Sequence, residues 1–382
     1  MRFADSLTEF TFLSELYAED APQGVLLAEY PSSNSTATRY NNTHKFIIHD
    51  PYPPPAYALL KVLGPHHLMH CWGGEMPVAS EVRPPERLLT HWVRVFGEAV
   101  RPRWQSPNGD ARYITLFPFE TLPTTQHFMD PEQLYALHGK EALANIECPQ
   151  MKVLEKAKPP CVIKLSHGYA GKGNFVVRNE ADLHAARAEL ERRWPDARTV
   201  VNEFMQDIVG DFGVQFYVRR DGEVVWLGFT RQIFNEQKHW AGGSFSADMQ
   251  DTLSPHFEEM VRPVAKYLHR NGYYGVAGID VLQNRSGSFF LTDLNPRLTG
   301  ITPFLMASRI LLGQAGLTDG IYSPSLSFSG TLRELIERAD RITDARVIVL
   351  SGYEDLEAGR VTCHLAVHAT SPDVAQKVLA NF

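Results

Sequence analysis

The sequence predicts an α/β (α+β) protein, and three observations carry the prediction. Its 382 residues can bury more than one core. Its composition, 44% hydrophobic and 21% charged, is that of a globular chain. Apolar runs of strand length alternate along it with segments of helical spacing. A net charge of −7 offers no basic face to nucleic acid or an anionic membrane, so neither is an expected partner. Cys71, Cys148, Cys161 and Cys363 are far apart and form no CxxC pair, which fits reduced thiols rather than a disulfide frame or zinc site. MRFADSLTEF at the start lacks the apolar stretch of a secretory signal, and no apolar run of roughly 18 residues spans a bilayer. A cytoplasmic location is expected, with the glycosylation-like triplets at Asn34, Asn41 and Asn284 incidental.

Taken in order, QGVLLAEY (23–30) and HKFIIHD (44–50) read as short buried strands around a polar loop, and DPYPPP (50–55) breaks regular structure. HHLMHC (66–71) invites a metal site, yet no regular spacing sets three of its ligands on one face, and a mobile loop is expected. Residues 85–100 have helical spacing in Leu88, Leu89, Trp92, Val93 and Phe96, and ARYITLF follows as a strand. Asp130 before Pro131 is a cap and first turn for a helix through LYALHGKEALANI. PCVIKLS (160–166) and NFVVRN are strands either side of a glycine-rich loop, and EADLHAARAELERRW is a helix ended by Pro195. VVNEFM is a short strand. FGVQFYVRR and EVVWLGFTRQIF form a hairpin turning at Asp221-Gly222. A helix over 255–270, interrupted near Pro263, leads to a second hairpin, GVAGIDVLQNRSGSFFLTDLNPR. The tail beyond about 330 reads helix, strand, strand, helix.

Two features carry chemistry. In KLSHGYAGKGNFVV, Gly168, Gly171 and Gly173 let backbone N–H groups approach phosphate oxygens, while Lys164 and Lys172 supply countercharge. No Ser or Thr follows Lys172 and a strand comes next, so this is not a Walker A loop. In the second hairpin, a two-residue turn at Ser286-Gly287 sets Asp280 opposite Asp293, with Asn295 and Arg297 on the same face. Cβ atoms so opposed lie about 5 Å apart, and two like charges there repel. A hard divalent cation held by carboxylate and amide oxygens offsets the repulsion. Arg297 is placed to meet phosphate oxygens.

With these residues in hand, the chain resembles the ATP-grasp superfamily over roughly 130–310. It has in order Lys140, Lys164, the loop Gly168–Gly173, Glu203, Asp280, and Asp293-Leu-Asn295-Pro-Arg297. The resemblance implies an N-terminal α/β domain at 1–125, a small lid domain at 126–205, a central ATP-grasp domain at 206–330 and a C-terminal α/β segment at 331–382. It further implies ATP contacts from Lys140, Lys164, Gly168, Gly171, Lys172 and Gly173. Glu203 with the backbone of Phe204 and Met205 would hold the adenine edge, and Asp211 the ribose hydroxyls. Asp280, Asp293 and Asn295 would ligate Mg2+ or Mn2+. Three departures stand out: Asp293 replaces the usual glutamate, the segment around Asp211 lacks the usual Gly-x-Glu, and the run from Lys140 to Lys164 is short. The implied activity is ATP-dependent ligation of a small carboxylate to an amine through an acyl phosphate, with an amino acid as one partner and a homodimer admitted. LNPRLTGITPFLMASRI also resembles ATP-grasp proteins of fungal and bacterial secondary metabolism. Arg297 and Arg231 are the expected catalytic cations, Gly242-Gly243 the substrate-side loop, and Trp240 and His239 candidates for the acceptor pocket. A non-catalytic nucleotide-binding module, or transfer to a thiol or phosphoryl acceptor, is the alternative.

Overall fold

In the computed structural model, residues 12–31, 40–49, 62–106, 110–168, 173–236 and 239–382 are described. Three sheets organise them. The first is parallel, with β1 (Gly24–Leu27), β2 (Pro77–Ala79), β3 (Arg103–Trp104) and β4 (Arg112–Ile114) in the order β3-β2-β1-β4. Every residue of β1 is buried, as a strand covered on both faces requires. The expected strand at 44–50 does not form. The amides of Thr43, His44 and Lys45 instead donate to one carboxylate oxygen of Glu120 at 2.8–2.9 Å, which removes them from any ladder. HHLMHC is not a loop either: His66–His70 is a buried π-helical turn. The stretch DPYPPP lies outside the described residues.

The helix capped by Asp130 is shorter than expected. Helix α1 is Leu13–Tyr17 and α2 is Glu86–Phe96; α3 runs only over Pro131–His138 and breaks at Gly139 into a 3-10 turn, Lys140–Asn145. The Lys140 amide leaves the helix and donates to the Ser166 carbonyl at 3.1 Å. A small antiparallel sheet follows, β6-β5-β7, from β5 (Cys161–Leu165), β6 (Asn174–Val177) and β7 (Thr199–Glu203). Helix α4 (Glu180–Arg193), capped by Asn179, packs Leu183 and Ala186 under it.

The third sheet has eight strands: β8 (Ile208–Val218), β9 (Val224–Phe234), β10 (Trp240–Ser246), β11 (Gly275–Asn284), β12 (Phe289–Asn295), β13 (Asp319–Ser329), β14 (Arg346–Asp355) and β15 (Arg360–Ala369). Their order is β12-β11-β8-β9-β10-β13-β15-β14. Gly242 and Gly243 therefore belong to a strand, not to a loop. Helix α5 covers one face and is longer than expected, Ala247–Arg270, running through both Pro255 and Pro263. Phe257, Val261 and Val264 are fully buried beneath the sheet, and that packing outweighs the lost backbone bonds. Helix α6 (Thr302–Leu311) packs on the sheet as well, and the tail adds α7 (Leu332–Arg341) and α8 (Pro372–Leu379) in the expected helix, strand, strand, helix order. The tail also grips the first sheet's layer: Trp92 Nε1 on α2 donates to the Val349 carbonyl of β14 at 2.9 Å, and His91 Nε2 accepts from the Val349 amide.

Many histidines are interior. Burial holds His66, His91 and His167 down to about 4, His364 and His368 to about 3, and His67, His70 and His138 well below the ordinary imidazole range. The unfolded chain binds these protons near pH 6.5, the folded chain only at lower pH. Stability is thus full above about pH 6.5 and falls as pH drops toward 4, by up to about 1.4 kcal/mol per pH unit for each such histidine. Melting temperature measured from pH 7.5 to 5 is expected to fall steadily below pH 6.5; a flat profile contradicts the buried neutral imidazoles.

Candidate functional site

Between the small sheet and the eight-stranded sheet lies a cavity of about 300 Å3, walled by Lys140, Lys164, Gly168, Asp211, Gln232, Trp240, Asp280, Asp293, Asn295 and Arg297 among others. Its floor is the β11–β12 hairpin. Asp280 pairs with Asp293, as the sequence predicts, but by a different route. The turn is longer than two residues: the Asn284 amide bonds the Ser288 carbonyl, with Gly287 at φ 85°. A one-residue bulge between Asp280 and Val281 then restores the pairing and leaves Thr292 outside the ladder. That frees the Thr292 carbonyl, which accepts from Lys164 Nζ at 2.8 Å.

Each acid has a distinct environment. Lys140 Nζ is ion-paired with Asp293 Oδ1. Asp280 accepts from Gln232 Nε2 at 3.0 Å, and the Asn295 amide stands 3.5 Å from its other oxygen. Burial first, and then Asp293 across the ladder, raise the Asp280 carboxyl above the usual range. Asp211, expected at the ribose, stands with these acids; burial and then Asp280 push it up to about 7, against the pull of Lys164. Burial lowers Lys164, with Asp293 the largest opposing influence. Arg297 lies over the Phe117 ring at 4.9 Å and donates from Nη2 to Asn295 Oδ1 at 2.9 Å.

Among the described residues no three His, Cys, Asp or Glu side chains converge on one point. The site thus provides two opposed carboxylates and an amide rather than a closed cage. This donor set suits a hard cation that takes its remaining ligands from phosphate and water.

The rim departs from expectation in places. Gly168 lines the cavity, and its bridge to His49 ties the loop's root to the first layer. Gly173 has φ 88°, and a Cβ there would meet Leu165 Cδ1 at 2.5 Å, so only glycine fits. Gly171 and Lys172 lie outside the described residues. The Glu203 carboxylate accepts from the Lys152 amide at 2.9 Å, while the Glu203 amide donates to the Lys152 carbonyl. It therefore fastens the hinge and leaves the backbone of Phe204 and Met205 as the adenine-facing candidates.

Arg231 requires a correction. It pairs with Phe212, which is buried under the sheet, and its guanidinium donates to the Val209 carbonyl at 2.8 Å on the face away from the cavity. Strand alternation gives the cavity position to Gln232 instead. Counting back from a turn at Asp221-Gly222 sets position 232 opposite 211, so the signal was present in the sequence. Thr292, Thr299, Gly300 and Ile301 also line the cavity and carry no such signal.

A small antiparallel sheet facing a hairpin with opposed carboxylates, with Lys164 and Lys140 reaching into the cavity between them, is the arrangement that the ATP-grasp resemblance implies. Residues 143–295 match the family model described as L-aspartate–L-methionine ligase, ATP grasp. The chain is 22% identical over 188 residues to the [butirosin acyl-carrier protein]–L-glutamate ligase of Niallia circulans, covering 47% of this chain and 44% of that protein. It is 27% identical over 148 residues to pyruvate carboxylase of Staphylococcus aureus, 38% of this chain and 12% of that one. It thus spans less than half the length of these curated relatives. Among solved structures it resembles N5-carboxyaminoimidazole synthetase from Staphylococcus aureus complexed with ADP, with a TM-score of 0.53 and 12% identity over 80% of this chain and 90% of that chain. An ADP complex of N5-carboxyaminoimidazole ribonucleotide synthetase gives 0.50 and 17% over 66% and 72%. Both share the fold. Among the described residues no helix is long and apolar enough to cross a membrane.

Arg231→Ala is expected to leave nucleotide affinity within about twofold, whereas Gln232→Ala, which strips a partner from Asp280, should weaken divalent-cation affinity about tenfold or more. Calorimetric titration with MnCl2 and ADP checks both. The reverse ranking contradicts the assignment of faces.

Proposed function

We propose that this chain is an ATP-dependent ligase that joins a small carboxylate to an amine through an acyl phosphate, releasing ADP and phosphate. One observation carries the reading: two cavity lysines from separate parts of the chain meet the opposed Asp280 and Asp293 in a single cavity. In this reading Lys140 and Lys164 bind phosphate oxygens, Gly168 and Gly173 border the triphosphate, and the backbone of Phe204 and Met205 receives the adenine edge. Asp280, Asp293 and the Asn295 amide oxygen hold Mg2+ or Mn2+. The cation neutralises charge on the transferring phosphoryl group.

The remaining chemistry belongs to positioning. Lys140, ion-paired with Asp293 in this structure, would meet a phosphate oxygen, with Asp293 left to the cation. Arg297, held over the Phe117 ring, would face the carboxylate that attacks the γ-phosphorus. That attack forms the acyl C–O–P linkage and breaks the bond to ADP. The amine then attacks the acyl carbon, phosphate departs, and the amine nitrogen loses a proton. No side chain is needed as a covalent nucleophile. The parts at 1–125, 126–205, 206–330 and 331–382 serve this reading as substrate, lid, catalytic and sheet-completing regions. A cytoplasmic location and a homodimer belong to the same proposal.

ADP release is expected only when a carboxylate and an amine are both supplied, and a screen of paired amino acids followed by mass spectrometry identifies the product. Asp293→Ala should abolish metal-dependent ADP release while circular dichroism and melting stay close to wild type; turnover near the wild-type rate would sink the metal assignment. Lys164→Ala removes a charge-assisted contact and should raise the KM for ATP about tenfold to a hundredfold. An unchanged KM counts against Lys164 as a phosphate ligand.

A further inference from the structure

Arg297 walls the cavity just past the end of β12, close enough to Asp280 to pull that carboxyl down. A guanidinium beside two carboxylates ordinarily forms a two-pronged pair with one of them. The described contacts of its Nη atoms run elsewhere, to Asn295 Oδ1 at 2.9 Å and the Leu298 carbonyl at 3.1 Å. Its central carbon lies over an aromatic face, 4.9 Å from the centroid of Phe117. A cation within about 6 Å of a ring centroid is held by the ring quadrupole, and more strongly where water is excluded. Phe117 is 5% exposed, so water is excluded there.

Phe117 comes from the first sheet's layer, and its place there is fixed from several sides. Strands β1 and β4 are parallel neighbours with Leu26 opposite Ile114, and Tyr30 and Phe117 each follow the last residue of their strand by three positions. The carboxyl edge of a parallel layer is where such sheets present functional groups. The Tyr30 and Phe117 rings meet edge-on at 5.6 Å between centroids, and His138, the last residue of α3, stands 4.9 Å from Phe117. Burial first, and then Arg297 itself, keep that imidazole uncharged, so it adds no rival cation beside the ring. The chain just beyond is pinned. The Pro118 carbonyl accepts from Asn42 Nδ2 at 2.9 Å, and the Glu120 amide donates to Asn42 Oδ1 at 2.8 Å. Between them the Phe119 amide donates to His127 Nε2 at 3.1 Å. The ring under Arg297 is thus rigidly presented.

We propose that Phe117 is a positioning residue contributed by the first layer: its ring holds the Arg297 guanidinium toward the terminal phosphate of the nucleotide and off Asp280 and Asp293. The proposal rests on the nucleotide site of the ligase reading and gives the first layer a part in it. Leucine at 117 keeps the apolar packing but removes the quadrupole, and the guanidinium then falls back onto the acids. Tyrosine keeps the aromatic face.

The test compares, by calorimetry in MnCl2, the affinities for ADP and for AMP-PCP, an ATP analogue with a methylene bridge between its β and γ phosphorus atoms. Wild type is expected to bind AMP-PCP at least about fivefold more tightly than ADP, and Arg297→Met to lose that margin. Phe117→Leu and Phe117→Met should shrink the margin to within about twofold while ADP affinity stays within about twofold of wild type, and Phe117→Tyr should restore it. Adding Phe117→Leu to Arg297→Met should change the margin no further, since the ring acts through the arginine. A margin that survives in Phe117→Leu, or in Arg297→Met, overturns the proposal. So does an equal loss for ADP and AMP-PCP in both the leucine and methionine variants, which marks a merely structural ring. Failure of wild type to bind ADP removes the nucleotide site and the proposal together, whereas ADP binding with an unchanged margin removes the role of Phe117 alone.

Discussion

Two carboxylates held opposite each other on a β-ribbon constrain everything around them. Asp280 and Asp293 repel across the ladder, and the cavity's burial raises that cost because charges are poorly screened there. The chain answers with cations that come from elsewhere in sequence. Lys140 arrives because α3 ends at Gly139 and the following turn points inward; Lys164 arrives on the central strand of the small sheet. Lys164 ties the small sheet to the large one through the Thr292 carbonyl, and Lys140 ties the turn after α3 to Asp293.

Fine placement of side chains in this fold is done by bulges. Both long hairpins use a loop closed by a left-handed glycine, Gly222 or Gly287, and both shift register by one residue further along, at Gln215/Phe216 and at Asp280/Val281. The second shift opens the Thr292 carbonyl to Lys164. A third, at Trp240/Gly242, turns an indole toward the cavity. In the last two cases one unpaired residue redirects a group toward the cavity while the ladder on either side stays paired.

That device also explains what could and could not be read from residues alone. The opposed aspartates were legible because the longer turn and the bulge cancel, leaving the simple count correct at Asp280 and Asp293. The cap at Asp130 and the tail's order of elements were legible because they rest on local chemistry. Arg231 was misplaced because the basic side chain drew attention from strand parity, which favours Gln232. The break after His138 was missed because it is set by a bond from Lys140 to Ser166, far along the chain. The π-helical turn at 66–70 is held by packing on Tyr322, His364 and Trp104, contacts that leave no periodic trace. Glu120, which takes the amides of residues 43–45, likewise gives no warning beforehand.

The order of strands in the large sheet bears on how the protein is made. Among the described residues strand β14 pairs with β15 alone, and β15 is also the partner of β13. On the ribosome, one edge of β13 and both edges of β14 stay open until residues 360–369 have emerged, whereas the partners β11 and β12 are separated by a short turn alone. The acid-bearing ribbon is thus an early structure and the opposite flank a late one. Slow codons or chaperone capture would matter most in the interval between them, when the edge of β13 that pairs with β15 is still open.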